Sequence, residues 1–307
     1  MAEDGGGPPP LLDDEHYARP PWLRPRWLET PYGRLRCALS EPPPNAKGTC
    51  IVAHGMSECI EKYYGILGRL REMGYAVAIS DWRGHGLSAG YPAAAVDFLR
   101  LMDQDLKSFI DEIVKPELPP PYVGMAHSMG GCMLACCARS EYSPFSALIL
   151  CAPMLGIKAF ANPLIPVLAR VYAALPAGLR PRSGTRKSRN NVTSDQQRYH
   201  QYASLLRRHP ELRSDFDMAL WSLSAKKRLD IMQANDWYAG IKIPTLVLIA
   251  GGELIIANES IEAAGRQLPA GTVHVHAGAM HELLHETDAV QELVWSQVAD
   301  FLQQAAA

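Results

Sequence analysis

Pro121-Tyr122-Val123-Gly124-Met125-Ala126-His127-Ser128-Met129-Gly130-Gly131 reads as a short apolar strand that runs into a serine-bearing turn and opens a helix. So sharp a turn strains its central residue and presents the side chain outward, while small neighbours such as Ala126, Gly130 and Gly131 let strand and helix pack closely around it. The pattern is G-x-S-x-G with Ala126 at the first glycine. Alone it is weak, because glycine and serine also build ordinary turns. The order of the segments on either side strengthens it.

Strands are expected at roughly 34–40, 49–54, 75–81, 121–127, 146–152, 245–250 and 272–277, and helical periodicity falls at roughly 60–73, 95–114, 129–139, 259–267 and 287–304. Strands spaced by helices imply an α/β fold, a mostly parallel sheet with helices on both faces. One interval breaks the rhythm: about ninety residues separate the strand ending near Ala152 from the one starting near Thr245. Helical patterns inside that gap predict a helical lid over 156–240, inserted between two late strands of a core formed by 23–155 and 241–307. Residues 1–22, rich in proline, glycine and acid, are expected to form a disordered tail.

A chain of 307 residues, 48% of them hydrophobic, is long enough for a large core. Its net charge of −2 hides an asymmetry, since residues 156–240 carry 14 lysines and arginines against 6 acids. That basic segment on an acidic body is one that attracts anionic head groups or lipid surfaces. There is no run of eighteen apolar residues and no apolar, positively charged leader, so the expected location is cytoplasmic, with peripheral membrane contact through the lid. Seven cysteines in no metal-finger spacing point to a reducing compartment. No metal, organic cofactor or nucleic-acid partner is expected; the oligomeric state is open.

A serine on such a turn becomes a nucleophile when a histidine takes its proton and an acid orients that histidine. Glu253 follows the strand at 245–250, and His281 follows the last strand, in the chain order serine, acid, histidine. His276 and His285 compete with His281 for the role of base. The oxyanion of an acyl-transfer intermediate needs backbone donors, and these are assigned to the N–H of Met129, next to the serine, and of Met56, in the loop after the strand at 49–54.

With these residues placed, the chain resembles the serine α/β-hydrolases of the monoacylglycerol lipase and bacterial lysophospholipase group. The resemblance covers roughly 26–303. It rests on His54-Gly55-Met56-Ser57-Glu58 with Glu61-Lys62-Tyr63, on Asp81-Trp82-Arg83-Gly84-His85-Gly86-Leu87-Ser88, on the serine turn, and on Gly278-Ala279-Met280-His281-Glu282-Leu283-Leu284. Residues 191–199 look like a lid signature of the bacterial members. The resemblance implies an ester hydrolase that releases a fatty acid from a lipid with one acyl chain, a lysophospholipid or a monoacylglycerol. An acyltransferase and a catalytically silent binding module are the alternatives. Two departures stand out: the family's usual Asp is replaced by Glu253, with Ala257 at a second acidic position, and Ala126 replaces glycine. Within the lid, Leu164, Leu168, Tyr199 and Trp221 are the candidates for contact with substrate.

Overall fold

The computed structural model describes residues 7–92, 95, 97–180, 182–183, 190–234 and 236–305. Eight strands form one sheet: β1 (Leu23–Leu28), β2 (Leu35–Ser40), β3 (Thr49–Ala53), β4 (Ala76–Ser80), β5 (Tyr122–His127), β6 (Phe145–Cys151), β7 (Thr245–Ala250) and β8 (Gly271–His276). Their spatial order is β1-β2-β4-β3-β5-β6-β7-β8. The β1–β2 and β2–β4 pairs are antiparallel, and every later pair is parallel. β3 to β7 are apolar and buried along almost their whole length, as strands covered on both faces must be.

The connecting helices are α1 (Tyr64–Glu72), α2 (Phe98–Ser108), the single turn α3 (Lys115–Glu117), α4 (Met129–Arg139), α5 (Leu164–Ala173), α6 (Gln196–Arg208), α7 (Met218–Met232), α8 (Asn258–Gln267) and α9 (Asp288–Ala305). The sheet separates two hydrophobic clusters, one including Phe98, Met102, Met133 and Leu148, the other including Ile60, Leu67, Trp295 and Phe301. From β3 the chain steps to β4 on one side and returns to β5 on the other. The crevice beyond the carboxyl ends of β3 and β5 is therefore the point of reversed winding, where open α/β sheets bind their ligands. The loops carrying Met56 and Ser128 leave the sheet there.

Among the described residues, the stretch between β6 and β7 holds the helices α5, α6 and α7. Its entry is tied to the loop after β7: Ile157 bridges Ile256, the Lys158 N–H donates to Ile255 O at 3.0 Å, and Lys158 Nζ donates to Glu253 O at 2.5 Å.

Two sequence readings need correction. Residues 1–6 lie outside the described residues, but 7–22 are not a disordered tail. Leu11 is buried in the core, the Leu12 N–H donates to Glu61 at 3.2 Å, Pro10 O accepts from Arg36 at 3.1 Å, and Asp14 pairs with Arg208 at 2.6 Å. The edge strand β1 was also absent from the expected set. It alternates outward Arg24 and Arg26 with Pro25, whose missing N–H only an edge strand tolerates.

Candidate active site

Ser128 sits at φ +51° and ψ −117°, between the last residue of β5 and the first of α4. A non-glycine residue there carries strain on the order of 1–3 kcal/mol, so its surroundings must hold it. The Ser128 N–H donates to Cys151 O at 3.1 Å, and Ser128 O accepts from Gly131 N at 2.9 Å and Met154 N at 2.8 Å. Glycine is required where α4 enters: a Cβ on Gly130 would stand 2.2 Å from Ala53 O. Ala126 faces no such demand. It is buried beside Ala53 of β3, and the crowding on this strand falls at Gly124, where a Cβ would meet Leu148 at 2.7 Å.

Ser128, His281 and Glu253 come together from loops after three different strands. Ser128 Oγ lies 2.9 Å from His281 Nε2, and His281 Nδ1 lies 2.5 Å from Glu253 Oε2. Glu253 Oε1 accepts the N–H groups of Leu254 at 2.9 Å and Ile255 at 2.8 Å. The longer glutamate thus reaches the imidazole while its second oxygen caps its own loop. Burial alone would raise its pKa, but the hydrogen bond and charge of His281, with the backbone donors, hold the carboxyl below its ordinary value. All three side chains are buried, Ser128 being 7% exposed. His285 turns away to the Lys62 carbonyl at 3.1 Å, and His276 lies at the end of β8.

The Met129 N–H is the first donor of α4, and Met56 lies beyond the end of β3, which pairs with β5 as far as Ala53 and Ala126. Among the described residues neither N–H has a protein acceptor. Both are thus free to meet a negative oxygen at a helix N-terminus.

Beneath this site lies a polar network that sequence reading missed. Glu58 accepts from Gly55 N at 2.5 Å, Tyr63 Oη at 2.6 Å and Lys62 Nζ at 2.7 Å, and faces His127 Nδ1 at 3.2 Å. His127 Nε2 lies 3.2 Å from His281 O, and Lys62 also pairs with Glu282 at 2.7 Å. One carboxylate therefore joins the Met56 loop, the strand of the serine and the loop of the histidine. Burial opposes its ionisation, yet Lys62 and His127 hold Glu58 well below its ordinary value. The spacing of Glu58 and Glu61-Lys62-Tyr63 was its only local signal.

The remaining candidates are scattered. Trp221 is buried in the core beside Phe216, Leu164 and Leu168 are exposed on α5, and Tyr199 is half-buried on α6. Cys59, near the Met56 loop, is fully buried and its thiol is pushed far up by burial. His85 is stacked on Phe216 at 5.0 Å.

Two buried histidines, His54 and His85, and the partly buried His285 make an acid-sensitive core. Burial, with the His54 ring as a second titrating group beside it, pushes His85 down to about 3; burial and Lys62 push His285 down to about 4; burial also lowers His54. In the unfolded chain such groups take up protons near pH ~6.5, well before the folded chain does. Their stabilisation is complete above that pH and shrinks as the pH falls towards the folded values. Melting temperatures measured from pH 7 to 5 should fall, with His127, which against its burial is held above its ordinary value by Glu58, opposing the trend; a rising profile contradicts neutral burial of these rings.

Comparison with known proteins agrees with the geometry. A family model described as serine aminopeptidase, S33, matches residues 44–288. A monoacylglycerol lipase of Mycolicibacterium smegmatis is 25% identical over 138 residues, 45% of this chain and 49% of that protein, so the match spans about half its length. Lysophospholipase L2 of Escherichia coli K12 is 27% identical over 273 residues, covering 82% of this chain and 79% of that protein. A soluble variant of the Saccharomyces cerevisiae monoglyceride lipase has the same fold, with a TM-score of 0.72 at 18% identity over 92% of this chain and 96% of that one. By the span of the family match and the α/β-hydrolase sheet beneath it, the chain belongs to the serine aminopeptidase S33 family of hydrolases.

Proposed function

We propose that this protein is a serine carboxylic ester hydrolase that releases a fatty acid from a single-chain acyl lipid, a monoacylglycerol or a lysophospholipid. The hydrogen-bonded series Ser128 Oγ, His281, Glu253 carries the reading. His281 Nε2 takes the Ser128 proton as Oγ attacks the ester carbonyl, and the N–H groups of Met56 and Met129 meet the oxyanion. Collapse returns the proton to the leaving alcohol and leaves the acyl chain on Ser128. Water, deprotonated by His281, then frees the fatty acid. Glu253 keeps Nδ1 protonated and balances the imidazolium formed in both halves.

The substrate class draws support from relatives called monoacylglycerol lipase and lysophospholipase L2. No described helix is long and apolar enough to cross a membrane. Contact with a lipid surface is supported instead by α5, whose Leu164, Val167, Leu168 and Val171 leave an apolar face exposed. The excess positive charge of 156–240 gives a phosphodiester head group little advantage. Arg198, Arg208, Lys227 and Arg228 are paired with Asp288, Asp14, Asp97 and Asp103 of the body, while Arg180 and Lys226 are paired with acids of the segment itself. Arg186, Lys187 and Arg189 lie outside the described residues.

Purified protein should release fatty acid from monooleoylglycerol and from lysophosphatidylcholine, each at least about tenfold faster than it cleaves an aminoacyl anilide. Anilide cleavage without fatty-acid release would overturn the ester reading in favour of a peptidase.

A further inference from the structure

A group of three sulfurs lies behind the serine, one and two turns into α4. Cys132 and Cys136, four residues apart, share a helix face, and both thiols point to the same thioether. The last residue of α7, Met232, brings its Sδ to 3.5 Å from Cys132 Sγ and 3.7 Å from Cys136 Sγ. We infer that Cys132, Cys136 and Met232 form a three-sulfur site for a soft monovalent cation, copper(I) by preference, between the helix of the serine and the last long helix before β7.

Thiolate and thioether ligands select copper(I) over harder ions. An ion about 2.3 Å from each of three sulfurs at trigonal angles needs sulfurs about 4.0 Å apart. The cluster therefore opens by a few tenths of an ångström to admit it. No oxygen or nitrogen ligand completes the set: among the described residues no three His, Cys, Asp or Glu side chains are grouped to hold a metal. Cys132 and Met232 are fully buried, and Cys136 is partly exposed and gives the ion its way in.

A cation stands nearby. Arg228, one turn before Met232, is held in place by two bonds to Asp103, at 3.1 and 2.5 Å. Loading releases both thiol protons to solvent, and the copper(I) ion offsets one of the two thiolates, while Arg228 beside them is balanced by Asp103. The inference does not depend on the roles of Ser128, Glu253 or His281.

Reduced full-length protein titrated without oxygen against the copper(I) complex of bathocuproine disulfonate should withdraw one copper(I) per chain and melt at a higher temperature. Cys137→Ser, on the same helix outside the cluster, should bind as well as the parent. Cys136→Ser should lose the site. Met232→Leu, which conserves volume, should bind at least about tenfold more weakly. Failure of the parent to take up copper, or equal affinity of parent and Met232→Leu, overturns the site; the second comparison decides even where Cys136→Ser does not fold.

Discussion

Ser128→Ala should lower kcat for a chromogenic ester by a factor on the order of 10⁶, the loss seen when one member of such a unit is removed. The variant should also stop reacting with a fluorophosphonate probe. Some rate above the uncatalysed reaction should survive, since the oxyanion donors proposed at Met56 and Met129 remain in place. Its melting temperature should stay close to that of the parent, because the Ser128 backbone, not its hydroxyl, makes the bonds that hold the turn. A variant that keeps more than a hundredth of the parent rate would remove Ser128 from the chemistry, whatever its geometry.

Arg36→Met should be the most damaging substitution away from the site. Arg36, Glu61 and Asp81 are each 0% exposed. The guanidinium spans both acids, with Nη1 and Nη2 on Glu61 at 2.6 and 2.8 Å and Nε on Asp81 at 2.6 Å. Burial already pushes Asp81 up against the pull of Arg36. Without the cation two carboxyls face each other in the core, and breaking such a pair costs about 3–5 kcal/mol. Urea unfolding should register this as a lower midpoint with an unchanged slope. Adding Glu61→Gln to Arg36→Met should recover part of the loss, as coupled neighbours do. Additive losses would show that the three groups do not act as one unit.

How much of this was legible in the sequence depended on the distance over which each feature is encoded. The parallel strands announce themselves because burial on both faces makes each a continuous apolar run, as in Thr245–Ala250. Ser128 follows such a run directly and Glu253 follows one after two glycines, while His281 was legible from its place a few residues beyond the mostly exposed β8; the sheet converts this chain order into proximity. β1 was not, since an edge strand with one face in solvent alternates Arg24 and Arg26 with shorter apolar positions and carries Pro25. The docking of residues 7–22 depends on single contacts with Arg36, Glu61 and Arg208, which no local pattern signals. The Glu58 network joins residues 69 and 154 positions apart, and pairing at such range is set by the fold and not by periodicity.

The ties between Lys158 and the Glu253 loop bear on how chains of this family exchange parts. By chain order the helical segment begins and ends at the sheet, and a chimera would be cut at residues 156 and 240. By hydrogen bonding, its first residues belong with 253–256. A segment transplanted without that loop would leave the acid with a stranger's backbone at its side, and one transplanted with it would bring its own acid. The part to transplant is discontinuous in the chain, so an exchange of segments also alters the backbone that surrounds Glu253.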